Sequence, residues 1–333
     1  EMRKKAELKK VVFDFEKDYK QKVVNYMIDE YKNGRTPNPD VMCNQEVKFK
    51  LFLEAALEDG ADMIATGHYA RVCNKETAST LVDSGASELL ERLCAGSDKS
   101  CRCSSETNAN LLAGDNAGIL LRAVDDNKDQ TYFLYRVTGE AMAKTLFPIG
   151  EFTKPEVRKM AAERNLTTAV KRDSQGICFI GQVGIRDFLS MYVDQKPGEI
   201  IDKKSGKVLG LHDGAIFYTI GQRHGLDVGG GLPYYVVGKD MDKNEVYVTK
   251  DINDGSLWKD GIRLIDVHWI NDAPVEGKYK IRMRHRAPLT DAVLSFVDDG
   301  VLLKFDNSER SVAAGQSVVI YDDQVCLGGG IVA

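Results

Sequence analysis

The sequence predicts an α/β domain followed by two β domains. Up to about residue 195, short apolar runs alternate with helical patterns, an alternation that predicts a parallel sheet covered by helices. Beyond Pro197-Gly198, short runs of β-branched and aromatic residues are separated by Gly and Asp-Gly, which is typical of antiparallel strands. Because 333 residues exceed the usual size of one domain, we expect two or three domains.

The individual elements follow from local patterns. Residues 11–15 predict a strand, 49–57 place apolar side chains at helical spacing, and 63–66 form the next apolar strand. Segment 153–156 combines a threonine N-cap, a proline and an acid, so we expect a helix to continue through 157–165. In the second half we expect strands over 215–220, 234–237 and 245–248.

Composition divides the chain into three parts and one insertion. We expect an α/β domain over 1–195, a small central β domain over 196–258 and a last β domain over 259–333, whose size suits a barrel or a sandwich. Between residues 74 and 118, Ser, Asn, Gly and Asp are frequent and three of the seven cysteines occur. This composition predicts an inserted surface segment.

Several classes of protein are excluded by composition. There is no apolar run of about 18 residues, so we expect no membrane span, and the charged first residues argue against a secretory signal. Seven irregularly spaced cysteines suit a reducing compartment, and we expect a cytoplasmic protein, with a mitochondrial one as the alternative. The net charge of −5 argues against a nucleic-acid partner.

Segment 34–44 is the first motif that could carry chemistry. Pro37 and Pro39, one residue apart, predict a stiff loop that holds Asp40 and Cys43 just before a helix. A cysteine near a helix N-terminus gains thiolate character from the helix dipole. The alternative is a proline-stiffened turn followed by an ordinary buried cysteine.

Segment 171–181 contains a second cysteine, Cys178, in an apolar run between two glycines. Lys171 and Arg172 lie upstream and could stabilise a thiolate, although a buried strand cysteine is the alternative. Two such cysteine segments in the same α/β half indicate a pair that works together. Cysteines 94, 101 and 103 lack the spacing of a structural zinc site, so we expect no metal site there.

Gly67 and His68 follow the strand predicted over 63–66. A glycine at the carboxyl end of a parallel strand lets a ligand approach the backbone, and this edge is where open α/β sheets bind ligands. For His68 an ordinary hydrogen-bonded histidine is the alternative. Segment 127–134 places polar residues directly before a buried-looking run, which is a weaker signal.

Segment 278–286 bears on the charge argument because its cations alternate strictly with other residues. On a strand, all five cations would lie on one face, a row whose length of roughly 27 Å matches several successive phosphates. The alternative is that acids on neighbouring strands neutralise the row, and the candidate acids are Asp298, Asp299 and Asp306.

In their order along the chain, these motifs resemble those of the tRNA-specific 2-thiouridylases. The resemblance covers nearly the whole chain apart from the insertion, and its segments are 34–44, 65–69, 127–134, 173–181, 218–223, 233–237, 315–317 and 325–330. It implies a PP-loop ATP pyrophosphatase domain, of the adenine nucleotide alpha hydrolase-like type, then a small central β domain and a C-terminal β-barrel-like domain.

The resemblance also implies a reaction. ATP, with Mg²⁺, would adenylate O2 of the wobble uridine of a tRNA, and a persulfide sulfur would replace the activated oxygen to give 2-thiouridine and AMP. The implied partners are tRNA and a sulfur-carrier protein or cysteine desulfurase that donates the sulfur.

Site residues are implied at the matching positions. Cys178 would carry the persulfide and Cys43 would be the nucleophile that attacks it, leaving a transient disulfide. Asp40 would be a candidate for proton transfer, and Gly67 would lie against ATP. The implied contacts to the target base are Asn38, Pro39 and Asp40, and those to tRNA are His68, Lys128, Asp129, Gln130, Arg284, His285 and Gln316.

The chain departs from the family pattern at three places. Family members begin with a strand and a Ser-Gly-Gly-x-Asp-Ser loop that holds the pyrophosphate through backbone N–H groups, and no Ser-Gly-Gly occurs in this sequence. We therefore expect a truncated α/β domain. Position 285 is His instead of an aromatic hydroxyl, and the insertion has no clear counterpart in bacterial members.

Two alternatives to a complete sulfurtransferase are a catalytically silent RNA-binding fragment and an iron–sulfur- or metal-dependent thiolase.

Overall fold

Two helical segments lie at the start of the part of the chain that the computed structural model describes, which comprises residues 10–73, 117–171, 184–229, 231–310 and 312–333. The first, α1, is one continuous segment that is α-helical over Glu16–Tyr19, π-helical over Lys20–Val24 and α-helical again over Asn25–Lys32. One side of α1 packs into a core that includes Val24, Met27, Ile28 and Tyr31.

The strand expected over 11–15 is wrong. Residues 11–15 run without regular structure into α1, and the Asp14 carboxylate accepts a hydrogen bond from the Glu16 backbone N–H at 3.0 Å. Val12 is 78% exposed, whereas Phe15 is partly buried against the cluster that contains Cys43. Apolar composition alone does not make a strand when no neighbouring strand pairs with it.

The second helical segment, α2, begins where the sequence predicts a stiff loop to end. It is α-helical over Pro39–Met42, π-helical over Cys43–Leu51 and α-helical over Phe52–Glu58, which confirms the helix expected over 49–57. Shorter helices follow at Gly139–Ala143 (α3), Lys154–Glu163 (α4) and Ile185–Leu189 (α5). The predicted start of α4 is confirmed, because Thr153 and Glu156 form a reciprocal capping box.

Strands of the α/β domain are short. β1 (Ile64–Ala65) pairs in parallel with β4 (Thr145–Leu146), as expected for this half. β2 (Arg71–Cys73) and β3 (Ile119–Leu121) form an antiparallel hairpin at the two sides of the insertion, most of which lies outside the described residues. β3 also pairs with β14 of the last domain.

The central domain is a four-stranded sheet. Its strands are β5 (Gly198–Asp202), β6 (Val208–His212), β7 (Tyr235–Asp240) and β8 (Glu245–Thr249), in the order β6-β5-β8-β7. The strand expected over 215–220 is wrong: Ala215–Phe217 is a single 3₁₀ turn. Tyr218 and Ile220 still pack into the core of this domain, so the apolar pattern reports burial here without reporting a strand.

A closed barrel of six strands forms the last domain and confirms the expected β-barrel. Its strands are β9 (Trp258–Trp269), β10 (Gly277–Arg282), β11 (Thr290–Val297), β12 (Gly300–Arg310), β13 (Ser317–Asp322) and β14 (Val325–Val332). The order is β13-β10-β11-β12-β9-β14, and the pairing of β13 with β14 closes the barrel. Closure removes the sheet edges, and the interior is filled by aliphatic side chains such as Leu264, Ile281, Leu294 and Leu303.

The barrel and the α/β domain share one hydrophobic core. Tyr132, Leu134 and Tyr135 of the α/β domain pack with Val319 and Tyr321 of the barrel. The boundaries expected at residues 195 and 258 stay predictions. Among the described helices, none is both long enough and apolar enough to cross a membrane.

Candidate functional site

The segment 34–40, here called the site loop, leads into α2. The Asn38 side-chain oxygen accepts hydrogen bonds from the backbone N–H groups of Asp40 (3.2 Å) and Val41 (3.4 Å). Asn38 is therefore the N-cap, and Pro39 follows at the position where the missing N–H costs nothing. The stiff loop expected from the two prolines thus ends in a capped helix that fixes the position of Asp40.

Cys43 lies one turn into α2, at the point where the π-helical stretch begins. Its side chain is completely buried and belongs to a small cluster with Val23 of α1 and Val47. Local π-helical geometry occurs frequently at functional sites. Cys178 lies outside the described residues, so the expected Cys43–Cys178 pair stays a prediction.

The site loop contacts both β domains. The Thr36 backbone N–H donates to the Ala314 carbonyl of the barrel at 2.9 Å. The Thr36 hydroxyl lies 3.3 Å from the Thr219 hydroxyl of the central domain. Arg35 donates to the Val332 carbonyl at 3.2 Å. Arg35 and Thr36, a few positions before Asp40, are therefore held at the junction of all three domains.

Close packing at Gly315 brings Gln316 to this junction. Gly315 has φ +87°, and a β-carbon there would lie 2.6 Å from the Thr36 backbone nitrogen. Only glycine fits such a backbone conformation at so close an approach. The Gln316 side-chain oxygen is buried without a hydrogen-bond partner among the described residues.

His285 and the turn Thr131–Phe133 form the other side of the site. The His285 ring lies 4.6 Å from the Phe133 ring, between centroids, and the Tyr132 hydroxyl donates to the Ser317 carbonyl at 2.9 Å. Burial, followed by the charges of Arg286 and Arg282, lowers the pKa of His285. His285 is thus an uncharged side chain at neutral pH, packed at a tilt against the Phe133 ring, where a hydroxyl-bearing aromatic ring was expected.

Asn44 connects α2 to the same turn. Its side-chain N–H donates to the Phe133 carbonyl at 2.9 Å, which fixes the orientation of the amide. The side-chain oxygen of Asn44 is buried without a partner among the described residues. The predictions from sequence gave Asn44 no role, although its position directly after Cys43 in the motif was a usable signal.

His68 packs against two aromatic rings. Its Nδ1 atom lies 2.9 Å from the Thr66 hydroxyl, and its ring centroid lies 5.6 Å from that of Phe49 and 6.3 Å from that of Phe147. Burial, with a smaller effect of the nearby Lys48 charge, lowers the pKa of His68 to about 3. The neighbouring Gly67 is exposed and has open space around its α-carbon.

Gln130 positions the backbone next to His68. The Tyr69 backbone N–H donates to the Gln130 side-chain oxygen at 2.9 Å, and the Gln130 backbone N–H donates to the Tyr69 carbonyl at 2.8 Å. Lys128 is partly exposed two residues earlier. The structure therefore brings segments 66–69 and 128–133 together. The sequence predicts that both belong to one site.

Asp129 does not lie on the surface expected of a residue that contacts tRNA. Its side chain is 1% exposed, and it forms an ion pair with Arg282 of the barrel at 2.6 Å. A carboxylate so enclosed presents no surface to RNA in this structure. The physical reason is that its oxygens are already occupied by internal donors.

The exposed row of five cations expected over 278–286 is also wrong. β10 ends at Arg282, which is 4% exposed, and Arg286 has a left-handed backbone with φ 64°. Lys278 pairs with Asp306 of β12 and Lys280 with Asp291 of β11. The alternative of neutralising acids is therefore correct for Asp306, whereas Asp299 pairs with Arg263 instead.

Three family models match successive parts of this chain. They are described as tRNA methyl transferase HUP domain (residues 2–182), tRNA methyl transferase PRC-barrel domain (186–250) and Aminomethyltransferase beta-barrel domain (259–332). The chain is 43% identical over 320 residues to tRNA-specific 2-thiouridylase MnmA of Bacillus cytotoxicus, a similarity that covers 95% of this chain and 76% of that protein. This chain belongs to the tRNA-specific 2-thiouridylase family.

Further relatives agree with this membership. The protein of the same name from Exiguobacterium sibiricum is 42% identical over 320 residues, covering 95% of this chain and 75% of its own length. That from Bacillus thuringiensis is also 42% identical and is covered over 76% of its length. The expected resemblance to this family is confirmed, and so is the succession of an α/β domain and two β domains.

Proposed function

We propose that this chain takes part in the synthesis of 2-thiouridine in tRNA. In this proposal ATP adenylates O2 of the wobble uridine, and a persulfide sulfur replaces the activated oxygen, so that AMP leaves. The first support is the shared name of the curated relatives, tRNA-specific 2-thiouridylase. The observation that carries the proposal is the capped turn that places Asp40 and Cys43 one helical turn apart, beside the segments of the other site residues.

The chemistry needs each part of this arrangement. A uracil oxygen is a poor leaving group until it is joined to phosphate, which is the reason for adenylation. The terminal sulfur of the Cys178 persulfide bonds to C2 of the adenylated base as the C2–O bond to AMP breaks, and the thiolate of Cys43 then attacks the inner sulfur of that persulfide. A disulfide between the two cysteines forms as the S–S bond of the persulfide breaks, and the terminal sulfur stays on C2 of the base. A thiol reductant then restores both cysteines.

Asp40 is suited to proton transfer at the base. Its backbone is fixed by the Asn38 cap, and its charge is close enough to act on His285. We place the target base between the N-terminal turn of α2 and the His285 side of the site, with Asn38, Pro39 and Asp40 in contact with it.

ATP is a substrate in this scheme, and the open space around Gly67 at the end of β1 is compatible with a nucleotide at that edge. No group of three or more His, Cys, Asp or Glu side chains with metal-binding geometry occurs among the described residues. Mg²⁺ would therefore be held chiefly by the phosphates of ATP, as is usual for this ion.

Contacts to the rest of the tRNA are proposed for exposed or partly exposed side chains around the site. These are His68, Lys128, Gln130, Arg284, His285 and Gln316. A sulfur-carrier protein or a cysteine desulfurase would supply the persulfide on Cys178. A cation that meets a phosphate adds affinity at low salt and positions the tRNA without reading its sequence.

Two activities are compatible with these similarities, because the family models are described by methyl transfer and the relatives by thiolation. The two cysteine motifs favour thiolation, since methyl transfer needs no pair of cysteines that exchange sulfur. The remaining candidate is RNA binding without catalysis.

One experiment separates these candidates. The full chain is incubated with unmodified tRNA, ATP, Mg²⁺ and a persulfide donor, and the wobble nucleoside is identified by mass spectrometry while AMP is quantified. We expect 2-thiouridine with one AMP per sulfur. Methyluridine would favour methyl transfer, and tRNA binding without AMP or 2-thiouridine would favour the silent RNA-binding protein.

Cysteine variants test the assignment of the sulfur chemistry. Cys43→Ser and Cys178→Ser are both expected to abolish 2-thiouridine formation, and Cys178→Ser alone should abolish the persulfide detected on the protein. Cys73→Ser, at the end of β2 and outside the site, is the matched control and should retain activity. Activity in metal-free, colourless protein would exclude the iron–sulfur alternative.

A further inference from the structure

The Asp129 carboxylate is surrounded by donors from two domains. It accepts hydrogen bonds from the backbone N–H groups of Ala123 (3.2 Å) and Thr131 (3.3 Å) and from the Thr131 hydroxyl (2.9 Å). These three donors belong to the α/β domain. The fourth, from Arg282 of the barrel at 2.6 Å, makes the carboxylate a connection between domains.

Arg282 is enclosed to the same degree. It is 4% exposed, and its guanidinium lies 5.6 Å from the centre of the Tyr321 ring. The Tyr321 hydroxyl is 3.1 Å from the Thr131 hydroxyl. Because the Thr131 proton points to Asp129, the Tyr321 hydroxyl donates to Thr131 and adds a second connection between the barrel and the same turn.

The residues that follow Asp129 and Arg282 in the sequence belong to the candidate site. Asp129 is followed directly by Gln130, which holds the backbone next to His68, and by the turn Thr131–Phe133, against which His285 packs. Arg282 is followed by the segment 283–286, which contains Arg284 and His285. The ion pair therefore joins the two segments at the point where each enters the site.

We propose that Asp129 and Arg282 are positioning residues, which set the distance between segments 128–133 and 283–286 so that Arg284 and its neighbours meet the tRNA. The proposal rests on the proposed function. A buried ion pair is weak evidence for stability, because the loss of hydration offsets the attraction between the charges. Its value here lies in geometry, since a short pair between two rigid segments tolerates little displacement.

If Asp129 contacted tRNA directly, its removal would change the tRNA affinity in the opposite direction. An anion that faced the phosphates would repel them, so its removal would strengthen tRNA binding. A positioning residue predicts weaker binding on removal. The sign of the effect therefore separates the two roles.

The double variant Asp129→Leu/Arg282→Met is the main test. It removes one charge of each sign, so the net charge is that of the wild type. Arg122, whose Nε lies 3.8 Å from the Asp129 carboxylate, keeps its other ion pair with Asp126, and paired replacement of buried charges by apolar residues commonly preserves the fold. The matched control is Arg263→Met/Asp299→Leu, an exposed pair in the same barrel at 3.1 Å. Melting temperature and tRNA affinity are measured for all of these proteins.

We expect the double variant to melt near the wild-type temperature and to bind tRNA about tenfold more weakly or worse, the scale of a lost charge-assisted hydrogen bond. The control should bind as the wild type does. Arg284→Met should weaken binding by the wild-type chain but cause no further loss in the double variant, because there Arg284 is already misplaced. A purely structural role would not produce this non-additivity.

Other outcomes overturn the proposal. Wild-type affinity in a folded double variant, or additive effects of Arg284→Met, would show that the pair does not act through the site. If the double variant folds poorly, Arg282→Lys keeps the charge without the planar fork. This variant should weaken binding with the same non-additivity, and unchanged binding would refute the proposal. Failure of the wild-type chain to bind tRNA would instead refute the proposed function, together with the role that depends on it.

Discussion

His68 gives the sharpest link between the structure and a measurable energy. Its ring packs against Phe49 and Phe147, and burial lowers its pKa from 6.5 to about 3. We expect the variant His68→Asn to be less sensitive to acid than the wild type, because a side chain that cannot titrate contributes nothing to the pH dependence of folding.

The sign and magnitude follow from proton linkage. As pH falls below 6.5 the unfolded chain binds a proton at this histidine while the folded protein does not, so the folded state loses stability. The loss is about 1.4 kcal/mol between pH 7.5 and pH 5.5, and about 2.7 kcal/mol by pH 4.5. It continues until the pH approaches the folded-state pKa of about 3.

Urea unfolding followed by circular dichroism at several pH values measures this difference. The free energy of unfolding should fall less in His68→Asn than in the wild type, by about 1.4 kcal/mol between pH 7.5 and pH 5.5. His224→Asn, at an exposed position, is the control and should behave as the wild type does. Equal pH dependence in wild type and His68→Asn would refute the reasoning that His68 is held neutral by burial.

Three further predictions concern the site loop and the barrel. Gly315→Ala should destabilise the fold by more than Gly206→Ala and should also weaken tRNA binding. Both glycines have positive φ, but only at Gly315 would the added carbon collide with the site loop. Thermal melting and tRNA titration measure the two effects. Asn38→Ala should cost about 1 kcal/mol in the free energy of unfolding, as expected for a lost N-cap, whereas Asn38→Ser should restore stability. Lys278→Met should change the slope of log affinity against log salt by less than the roughly 0.9 expected for a lost phosphate contact, because Asp306 already neutralises this lysine.

Apolar spacing and capping residues in the sequence predicted much of the fold. The helical spacing over 49–57, the capping residues before α4 and the strands predicted over 234–237 and 245–248 in the central domain all appear where expected. The misplaced strands at 11–15 and 215–220 have the same composition as true strands. A segment forms a strand only when a neighbouring strand pairs with it, and the local sequence does not show whether such a neighbour exists.

The site was predictable as a set of segments but not as a set of contacts. The motif order placed Asn38, Asp40 and Cys43 together, since they are close in sequence. The junction of Thr36 with Thr219 and Ala314 depends on three domains packing together. Contacts between residues so distant in sequence are fixed by tertiary packing, which no local pattern encodes.

The cations of segment 278–286 show why the charge balance of a sequence is a poor guide to a nucleic-acid interface. Alternation places Lys278, Lys280 and Arg282 on one face, yet each has an acid within 3.0 Å or less in the fold. A cation already paired with a carboxylate gains less from meeting a phosphate, because it must first lose its partner. Recognition of tRNA by this chain would then depend on a few cations held at set positions, and the buried charges that hold them matter as much as those exposed to the RNA.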